Sequence, residues 1–271
     1  MKKIIAFDQD DTLNITKLPV DSEMAGLLAQ LLAQFKVCVI SGTGWETMKT
    51  NDVEPLMKLP DFDQELFMNY YILPTTGTQF WRWVGADFSE EKLKADQELD
   101  DGWLREYAHF LSEEQVEKIF DSIERAAKKL GYWRADLEGD NIIENRGSQV
   151  TYSALGQWAD PADKYKWDPD LVKRKAIVAE IEPELKDLGI EITIGGTTSI
   201  DVTLPGIDKA YGMRQLMEQT GTTKEDILFI GDKLQPGGND FPVRDFGIDT
   251  IEVHGQEDTK WVLRGILGVM K

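Results

Sequence analysis

Ile4-Ile5-Ala6-Phe7-Asp8-Gln9-Asp10-Asp11-Thr12-Leu13 is the stretch that decides the fold of this 271-residue chain. Its four apolar residues form an uninterrupted run, which predicts a strand buried on both faces, as in a parallel sheet. Three carboxylates then follow within four positions, at the strand end where open α/β sheets bind their ligands. Like charges this close repel each other unless a cation or a proton lies between them. A solvated acidic turn is the plainer interpretation; we favour a Mg²⁺ site with one carboxylate left for chemistry.

Two further apolar runs, residues 37–40 and 227–230, also end in polar side chains. The first is followed by Ser41-Gly42-Thr43-Gly44, the second by Gly231-Asp232, and Lys209 opens a helix before the second run. The carboxyl ends of parallel strands meet at one edge of a sheet, so these groups are expected to lie near Asp8. The set predicts phosphoryl transfer, which requires a carboxylate nucleophile, a second carboxyl as acid and base, Mg²⁺ ligands, and cations or hydroxyls for the phosphoryl oxygens.

The pattern changes between about residues 83 and 205, where strands alternate and helices carry more charge. Residues 112–130 and 169–188 predict two helices, the first with Ser112 as N-cap and Gly131 as the glycine after its last turn. Two strand pairs lie at 142–155 and 190–204. After this region, residues 259–270 predict a terminal helix. Two hairpins and two helices indicate an antiparallel sheet with helices on one face. The predicted fold is therefore a doubly wound, mainly parallel α/β core (1–82 and 206–271) interrupted by an inserted α+β domain (83–205).

Composition limits the possible partners and compartment. The chain has 49 acidic and 30 basic residues, a formal charge of −19 that repels nucleic acid and anionic membrane surfaces. One cysteine excludes an internal disulfide, and two histidines make a His-rich zinc site implausible. No stretch approaches the ~20 apolar residues that a membrane span needs. We expect a cytoplasmic protein that acts on a small phosphorylated molecule, without nucleic-acid or membrane partners.

Several of these residues resemble the motifs of a known superfamily. The four motifs of the haloacid dehalogenase (HAD) phosphotransferases are matched by Asp8-x-Asp10-x-Thr12, Ser41, Lys209 and Gly231-Asp232…Asn239-Asp240. The insertion resembles the type IIB cap of that superfamily. A closer resemblance is to eukaryotic-type phosphomannomutases, whose segments are similar to Gly231-Asp232-Lys233…Pro236-Gly237-Gly238-Asn239-Asp240, Gly195-Gly196…Ser199-Ile200-Asp201, Asp208-Lys209 and Glu257-Asp258-Thr259. The resemblance covers nearly the whole chain.

The resemblance implies a role for each matched residue. Asp8 would form an aspartyl-phosphate, and Asp10 would protonate the leaving oxygen and later activate the incoming one. Mg²⁺ would be bound by Asp8, the backbone carbonyl of Asp10 and Asp232. Ser41 and Lys209 would hold the phosphoryl group. Substrate-contacting positions of the cap are matched by Arg146, Ser199 and Asp201. The implied activity is interconversion of hexose 1- and 6-phosphates, and the implied assembly is a homodimer formed through the cap.

The chain departs from the phosphomannomutase pattern at four positions. Asp11 occupies a glycine position, and Lys17, Gln157 and Lys164 stand where the mutases usually have arginine. A mutase must hold the distal phosphate of a sugar bisphosphate, for which the bidentate arginine fork is suited. Losing one charge-assisted hydrogen bond costs about 1.5–3 kcal/mol, which favours water as the acceptor and makes a sugar phosphatase the alternative. Two nearby cations that could compensate are Arg134 and Lys166.

Two other classes of protein share part of this pattern. Response-regulator receiver domains also place an acidic pair, a phosphorylated aspartate, a hydroxyl and a lysine at strand ends. In them the acidic pair precedes the phosphorylated aspartate by several elements, which is the wrong order for this chain. Non-catalytic members of the superfamily usually lose the nucleophile or the acid, whereas Asp8 and Asp10 are both present.

Overall fold

The computed structural model describes residues 2–137 and 139–269. The strand that ends at Asp8 lies inside a large sheet. The strands are β1 (Ile4–Asp8), β2 (Lys36–Ile40), β3 (Tyr70–Leu73), β4 (Gln79–Trp83), β5 (Glu98–Asp100), β6 (Trp103–Ala108), β7 (Ile143–Asn145), β8 (Gln149–Ser153), β9 (Glu191–Gly195), β10 (Ser199–Thr203), β11 (Ile227–Gly231) and β12 (Asp249–Glu252). The α-helices are α1 (Ser22–Leu32), α2 (Trp45–Met48), α3 (Glu54–Met57), α4 (Glu113–Leu130), α5 (Pro161–Trp167), α6 (Val172–Leu185), α7 (Lys209–Thr220), α8 (Phe241–Asp245) and α9 (Gln256–Val269). A π-helical turn, Lys49–Val53, joins α2 to α3.

The larger sheet has the strand order β12-β11-β1-β2-β3-β4-β6-β5. The first five strands in this order are parallel to one another, and β4, β6 and β5 extend the sheet with antiparallel pairs. The prediction of a mainly parallel α/β core is confirmed. β1 lies between β2 and β11, so the three polar strand ends found in the sequence are neighbours at one edge.

Both faces of this sheet are covered by helices. Ile5 and Phe7 pack with α1 and α9 on one face, and Ile4 and Ala6 pack with α7 and α8 on the other. Because successive side chains of a strand point to opposite faces, an uninterrupted apolar run is what a strand covered on both sides requires. The apolar run of β1 is thus explained by the doubly wound arrangement.

The first boundary of the insertion lies later than predicted. The chain divides into a core unit, residues up to 108 and from 207 onward, and an inserted unit, His109–Gly206. β5 and β6 belong to the core sheet, where Trp103 and Trp83 pack in the core cluster. An antiparallel extension has the same alternating pattern as a strand of the insertion. The alternation of polar and apolar residues therefore could not show that β5 and β6 belong to the core sheet rather than to the insertion.

The inserted unit is an antiparallel sheet, β7-β8-β10-β9, covered on one face by α4 and α6. Ser112 caps α4 in a capping box with Gln115, and Gly131 ends the helix in the left-handed conformation at φ 74°, as predicted. α6 begins at Val172 rather than at residue 169, because Leu171 is left-handed at φ 61°. The short helix α5 was not predicted.

The carboxyl-terminal helix begins at Gln256, three residues before the predicted start at Thr259. Its predicted end at Met270 lies outside the described residues. None of the helices in the described ranges combines the length and the apolar character needed to cross a membrane.

Candidate active site

Asp8 ends β1 and Lys209 begins α7, and the fold brings their side chains together. Asp8 is 4% exposed and Lys209 is 3% exposed. Lys209 Nζ donates hydrogen bonds to Asp8 Oδ1 and, at 2.6 Å, to Asp240 Oδ1. Thr12 Oγ1 donates a longer hydrogen bond, 3.4 Å, to Asp8 Oδ2. One buried ammonium group thus joins two buried carboxylates.

Close backbone contact holds α7 in the position that presents Lys209. A Cβ atom at Gly77 would lie 2.5 Å from the Cα atom of Gly212 in α7. A Cβ atom at Gly212 would lie 2.2 Å from Ile40 Cδ1, at the end of β2. Gly77 also has φ 86°, a left-handed conformation that favours glycine. The two glycines let the helix approach the strand ends, and Lys209 lies one turn earlier.

The electrostatics of this cluster follow from burial and from charge. Burial raises the pKa of Asp8 to about 7; Lys209 opposes this effect, and the carboxylates of Asp240 and Asp232 add to it. Burial alone would lower the pKa of Lys209, but Asp8 and Asp240 outweigh it and raise this pKa above its ordinary value. These effects favour the charged form of Lys209 and disfavour the charged form of Asp8 relative to an exposed carboxylate.

The carboxylates at this edge fit a divalent cation. Asp8, Asp232 and Asp240 each offer an oxygen atom, and the three atoms lie within 4.8 Å of one another. Asp232 Oδ1 is buried and has no hydrogen-bond partner in the described part of the chain. Both oxygens of Asp240 are engaged, by Lys209 Nζ and by the backbone N–H of Lys233 at 3.0 Å. Asp232, whose Oδ1 has no partner among the described residues, and Asp8, whose Oδ2 accepts only the 3.4 Å bond from Thr12, fit as ligands of Mg²⁺, which prefers oxygen ligands. Asp240 orients Lys209.

The loop after β1 holds Asp10 through the backbone. Asp10 Oδ1 accepts a hydrogen bond of 2.8 Å from the backbone N–H of Lys17, and Asp10 is partly exposed. Asp11 has φ 60°, a left-handed conformation that favours glycine. Its Oδ1 accepts a hydrogen bond of 3.3 Å from the backbone N–H of Thr16, and short polar side chains of this kind tolerate the left-handed region.

Ser41 follows β2 directly, beside the end of β1, because Ile40 pairs with Asp8 across the sheet. Ser41 Oγ donates to Thr43 Oγ1 at 2.8 Å and accepts from the backbone N–H of Thr43 at 3.1 Å. The carbonyl of Ser41 accepts from the backbone N–H of Thr76 at 2.8 Å. The loop 41–44 is therefore ordered by its own hydroxyl groups next to Asp8.

In the inserted unit, Asp201 lies on the face of the sheet opposite to the helices. Its Oδ1 accepts hydrogen bonds from Thr151 Oγ1 at 2.7 Å and from Gln149 Nε2 at 2.9 Å. A Cβ atom at Gly195 would lie 2.3 Å from Asp201 Oδ2, so glycine leaves the room that this carboxylate occupies. Ser199 begins the same strand and shares this face, two residues before Asp201. This face is therefore polar, and hydrogen bonds from two neighbouring side chains hold Asp201 in place.

Three predicted substrate residues of the inserted unit gather around Glu144, which the sequence analysis did not include. Arg146 pairs with Glu144, with Nη2 and Oε2 2.6 Å apart. Gln157 Nε2 donates to the same oxygen at 2.8 Å, and Lys164 Nζ donates to the backbone carbonyl of Gln157 at 2.5 Å. The two proposed compensating cations do not join this group through any side-chain bond in the described residues: Arg134 pairs with Asp136, and Lys166 is exposed.

Asp240 also belongs to the cluster of Asp8 and Lys209, although it was not among the predicted site residues. It appeared only as the last residue of the fourth motif, whose loop folds back so that Lys233 N–H and Lys209 both reach the same side chain. The available signal was the position of Asp240 at the end of a loop that contains Gly237 and Gly238. The roles predicted for all of the site residues remain predictions, and these residues are Asp8, Asp10, Lys17, Ser41, Arg146, Gln157, Lys164, Ser199, Asp201, Lys209 and Asp232.

Comparison with known proteins shows similarity to phosphomannomutases. The family model described as eukaryotic phosphomannomutase matches residues 85–269. Phosphomannomutase 2 of Dictyostelium discoideum is 26% identical over 243 residues, which cover 89% of this chain and 86% of that protein.

Solved structures support the same fold at lower identity. The N-terminally truncated IMP-nucleotidase of Plasmodium falciparum superposes with a TM-score of 0.63 at 18% identity, covering 98% of this chain and 70% of that one. A haloacid dehalogenase-like hydrolase from Bacteroides thetaiotaomicron gives a TM-score of 0.62 at 16% identity, covering 98% of this chain and 100% of that one. These likenesses concern the fold.

Proposed function

The chain belongs to the eukaryotic phosphomannomutase family, and from this premise we propose that it is a Mg²⁺-dependent phosphotransferase that carries the phosphoryl group of a hexose phosphate on Asp8. The proposal depends above all on one observation, the buried pair of Asp8 and Lys209 beside Asp232. A buried lysine that stays charged is placed to neutralise phosphoryl oxygens, and a carboxylate in contact with it is placed to attack.

In the first half-reaction, a carboxylate oxygen of Asp8 attacks phosphorus and the bond from phosphorus to the sugar oxygen breaks. Asp10 donates a proton to that leaving oxygen, which leaves as a hydroxyl group. Lys209 and the hydroxyl of Ser41 bind the equatorial oxygens of the transferred group. Mg²⁺, held by Asp8, Asp232 and the backbone carbonyl of Asp10, would neutralise negative charge on the phosphoryl group when bound.

In the second half-reaction, Asp10 takes a proton from the acceptor hydroxyl, and the acceptor oxygen attacks phosphorus. The acyl-phosphate bond breaks and the carboxylate of Asp8 is regenerated. If the acceptor is the free hydroxyl of a hexose monophosphate, the product is a hexose bisphosphate, and return of its other phosphoryl group to Asp8 completes the interconversion of hexose 1- and 6-phosphates. The enzyme is then a mutase. If the acceptor is water, it is a phosphatase.

Family membership favours the mutase, and one feature of the inserted unit favours the phosphatase. Gln157 carries no charge at a position where the mutases usually have arginine, and Lys164 donates to its backbone carbonyl at 2.5 Å. A mutase must hold two phosphates in turn, and arginine does this with a bidentate pair of hydrogen bonds. Weaker retention of the bisphosphate intermediate would admit water.

The test uses mannose 1-phosphate with a catalytic amount of hexose bisphosphate and Mg²⁺. Formation of mannose 6-phosphate supports the mutase, whereas release of inorganic phosphate without mannose 6-phosphate rejects it in favour of the phosphatase. Asp8→Asn removes the nucleophile and is expected to abolish both reactions. If Asp8→Asn kept wild-type turnover, Asp8 could not carry the phosphoryl group and the proposal would fail.

Assembly and location are part of the same proposal. We expect a cytoplasmic homodimer formed through the inserted unit, by analogy with the family. Light scattering after size-exclusion chromatography measures the mass directly: about twice 30.7 kDa agrees with a dimer, and a monomer contradicts it.

A further inference from the structure

Asp52 is a buried carboxylic acid that the reaction described above does not use. It lies in the π-helical turn Lys49–Val53 and has no exposed surface. Asp52 Oδ2 accepts a hydrogen bond of 2.7 Å from Gln9 Nε2, and Gln9 is also fully buried. Gln9 lies between Asp8 and Asp10 in the chain, so this bond reaches the segment that carries both reacting carboxylates.

The backbone carbonyl of Gln9 organises the turn after β1. It accepts hydrogen bonds from the backbone N–H groups of three successive residues, Thr12 at 3.3 Å, Leu13 at 2.9 Å and Asn14 at 3.4 Å. The side-chain amide of Gln9 is held by its hydrogen bond to Asp52. Gln9 is therefore fixed at both ends, and its neighbours on each side are Asp8 and Asp10.

The π-helical turn holds the loop after β1 at a second point. The backbone carbonyl of Asn51 accepts a hydrogen bond of 3.0 Å from the backbone N–H of Val20, where that loop ends. The turn follows α2, which begins at Trp45 directly after the Ser41–Thr43 loop. One short segment therefore connects the loop after β1, which contains Asp10, to the loop that contains Ser41.

Placing an acid here is unfavourable for folding. Burial raises the pKa of Asp52 well above its ordinary value, and the negative charges of Asp10 and Asp8 act in the same direction. Asp52 Oδ1 has no hydrogen-bond partner within the described residues. π-helical turns are rare and occur mostly at functional sites. The cost of this side chain in stability indicates that it serves the site.

We propose that Asp52 is a positioning residue, which acts through Gln9 to fix the backbone between the nucleophile Asp8 and the acid/base Asp10. The assignment rests on the proposed function for the roles of these two carboxylates. It predicts that removing the bond between Gln9 and Asp52 impairs the chemical step and leaves substrate binding nearly unchanged, because neither residue contacts the substrate.

The variants are Gln9→Leu and Asp52→Ala, which remove the donor and the acceptor. Asp52→Asn keeps a carbonyl acceptor of the same shape, and Thr50→Ala alters an exposed residue of the same turn as the matched control. We expect Gln9→Leu and Asp52→Ala to lower kcat by roughly 10- to 100-fold with KM within about twofold. Asp52→Asn should retain most of kcat, and the double variant should lose no more than the worse single variant, because both act on one bond.

Amide hydrogen exchange gives a readout that does not depend on turnover. The amides of residues 12–14, which donate to the Gln9 carbonyl, should exchange at least about tenfold faster in Gln9→Leu and Asp52→Ala than in Thr50→Ala or the wild type. If wild-type protein turned over no sugar phosphate, the proposed function would fail. The exchange experiment would still test whether the bond between Gln9 and Asp52 orders residues 12–14.

Two results would overturn the positioning role. The first is unchanged kcat and unchanged exchange at residues 12–14 in a folded Gln9→Leu variant. The second is an equal loss in Asp52→Asn and Asp52→Ala, or additive losses in the double variant, since either would mean that the two residues do not act through their shared hydrogen bond. If Asp52→Ala does not fold, Gln9→Leu and Asp52→Asn still decide between these outcomes.

Discussion

Asp8 combines two properties that oppose each other, since it is almost fully buried and its proposed role requires a negative charge. Burial and the nearby carboxylates of Asp240 and Asp232 favour its protonated form, and Lys209 favours the charged form. The balance leaves its pKa at about 7. A bound cation would shift this balance toward the carboxylate, so ion binding and proton release at Asp8 are linked.

This balance predicts a pH dependence of stability in the absence of divalent cations. The pKa of Asp8 is raised from 3.8 to about 7 on folding, so its stabilising contribution is complete below pH 4 and is lost as the pH rises to 7. Each pKa unit is worth about 1.4 kcal/mol, which sets the loss at up to roughly 4 kcal/mol. Urea titrations from pH 4 to 8 should show this decline in the wild type and a shallower one in Asp8→Asn. Equal slopes in the two proteins would contradict the assignment.

Asp11 offers a second test at the scale of one residue, because its φ of 60° is a conformation that costs less for glycine. Alanine tolerates positive φ less well than glycine and cannot accept the hydrogen bond from the Thr16 N–H. Asp11→Ala should therefore lower the free energy of unfolding by about 1 kcal/mol. Asp11→Gly loses the bond but relieves the backbone, so its stability should stay within about 1 kcal/mol of the wild type. Urea unfolding measures both, and a more stable alanine variant would contradict this account.

Among the elements, α7 shows how packing places a side chain. Gly212 lies against Ile40 with no room for a methyl group. Gly212→Ala should lower the free energy of unfolding by roughly 1–3 kcal/mol, because overpacking forces the helix away from β2. Displacement of α7 moves Lys209, so kcat should also fall.

The matched control for Gly212→Ala is a change at Gly26 in α1, since a Cβ atom at Gly26 would meet nothing within 4 Å. Gly26→Ala should raise stability by about 0.5–1 kcal/mol, as expected for alanine in a helix, and leave kcat unchanged. Thermal unfolding and steady-state kinetics on the two variants separate the packing effect from the helix effect. Equal changes in both variants would mean that the contact with Ile40 is not what positions α7.

The elements that the sequence predicted well are those whose patterns have a single physical cause. β1, β2 and β11 were predicted within one residue because a doubly covered strand must be apolar throughout, and α4 because Ser112 and Gly131 are specific capping residues. The π-helical turn at Lys49–Val53 has no such local signal. Its buried Asp52 reads in the sequence as a surface acid of an irregular helix, and only the tertiary bond to Gln9 shows otherwise.

The site residues that could be predicted are likewise those whose position has a single physical cause. Strand order brings Asp8 and Ser41 together, and each could be predicted from the end of an apolar run. Glu144, in contrast, carries no motif, and its contact with Arg146 and Gln157 depends on the turn between β7 and β8 and on the loop after β8. Pairings made by loops cannot be derived from strand periodicity.

For the whole molecule, the concentration of carboxylates predicts that a divalent cation stabilises the fold. Ions that bind the folded state alone stabilise it by about 2.7 kcal/mol at 100 times their dissociation constant. Chelator-treated protein should therefore gain thermal stability on adding Mg²⁺, and Asp232→Asn should remove most of the gain. Asp87→Asn, an exposed change of equal charge, should keep it. Equal gains in both variants would point to general screening of the −19 charge instead.

The position of β1 between β2 and β11 also has a consequence for biosynthesis. β1 is synthesised more than two hundred residues before its second neighbour in the sheet, β11 (Ile227–Gly231). The inserted unit is continuous in the chain and is finished first. Lys209 and Asp240, the partners of Asp8, also arrive late. A nascent chain that has already completed its inserted unit still lacks Lys209, so an interrupted translation product would hold Asp8 without the ammonium group that neutralises it in the folded protein.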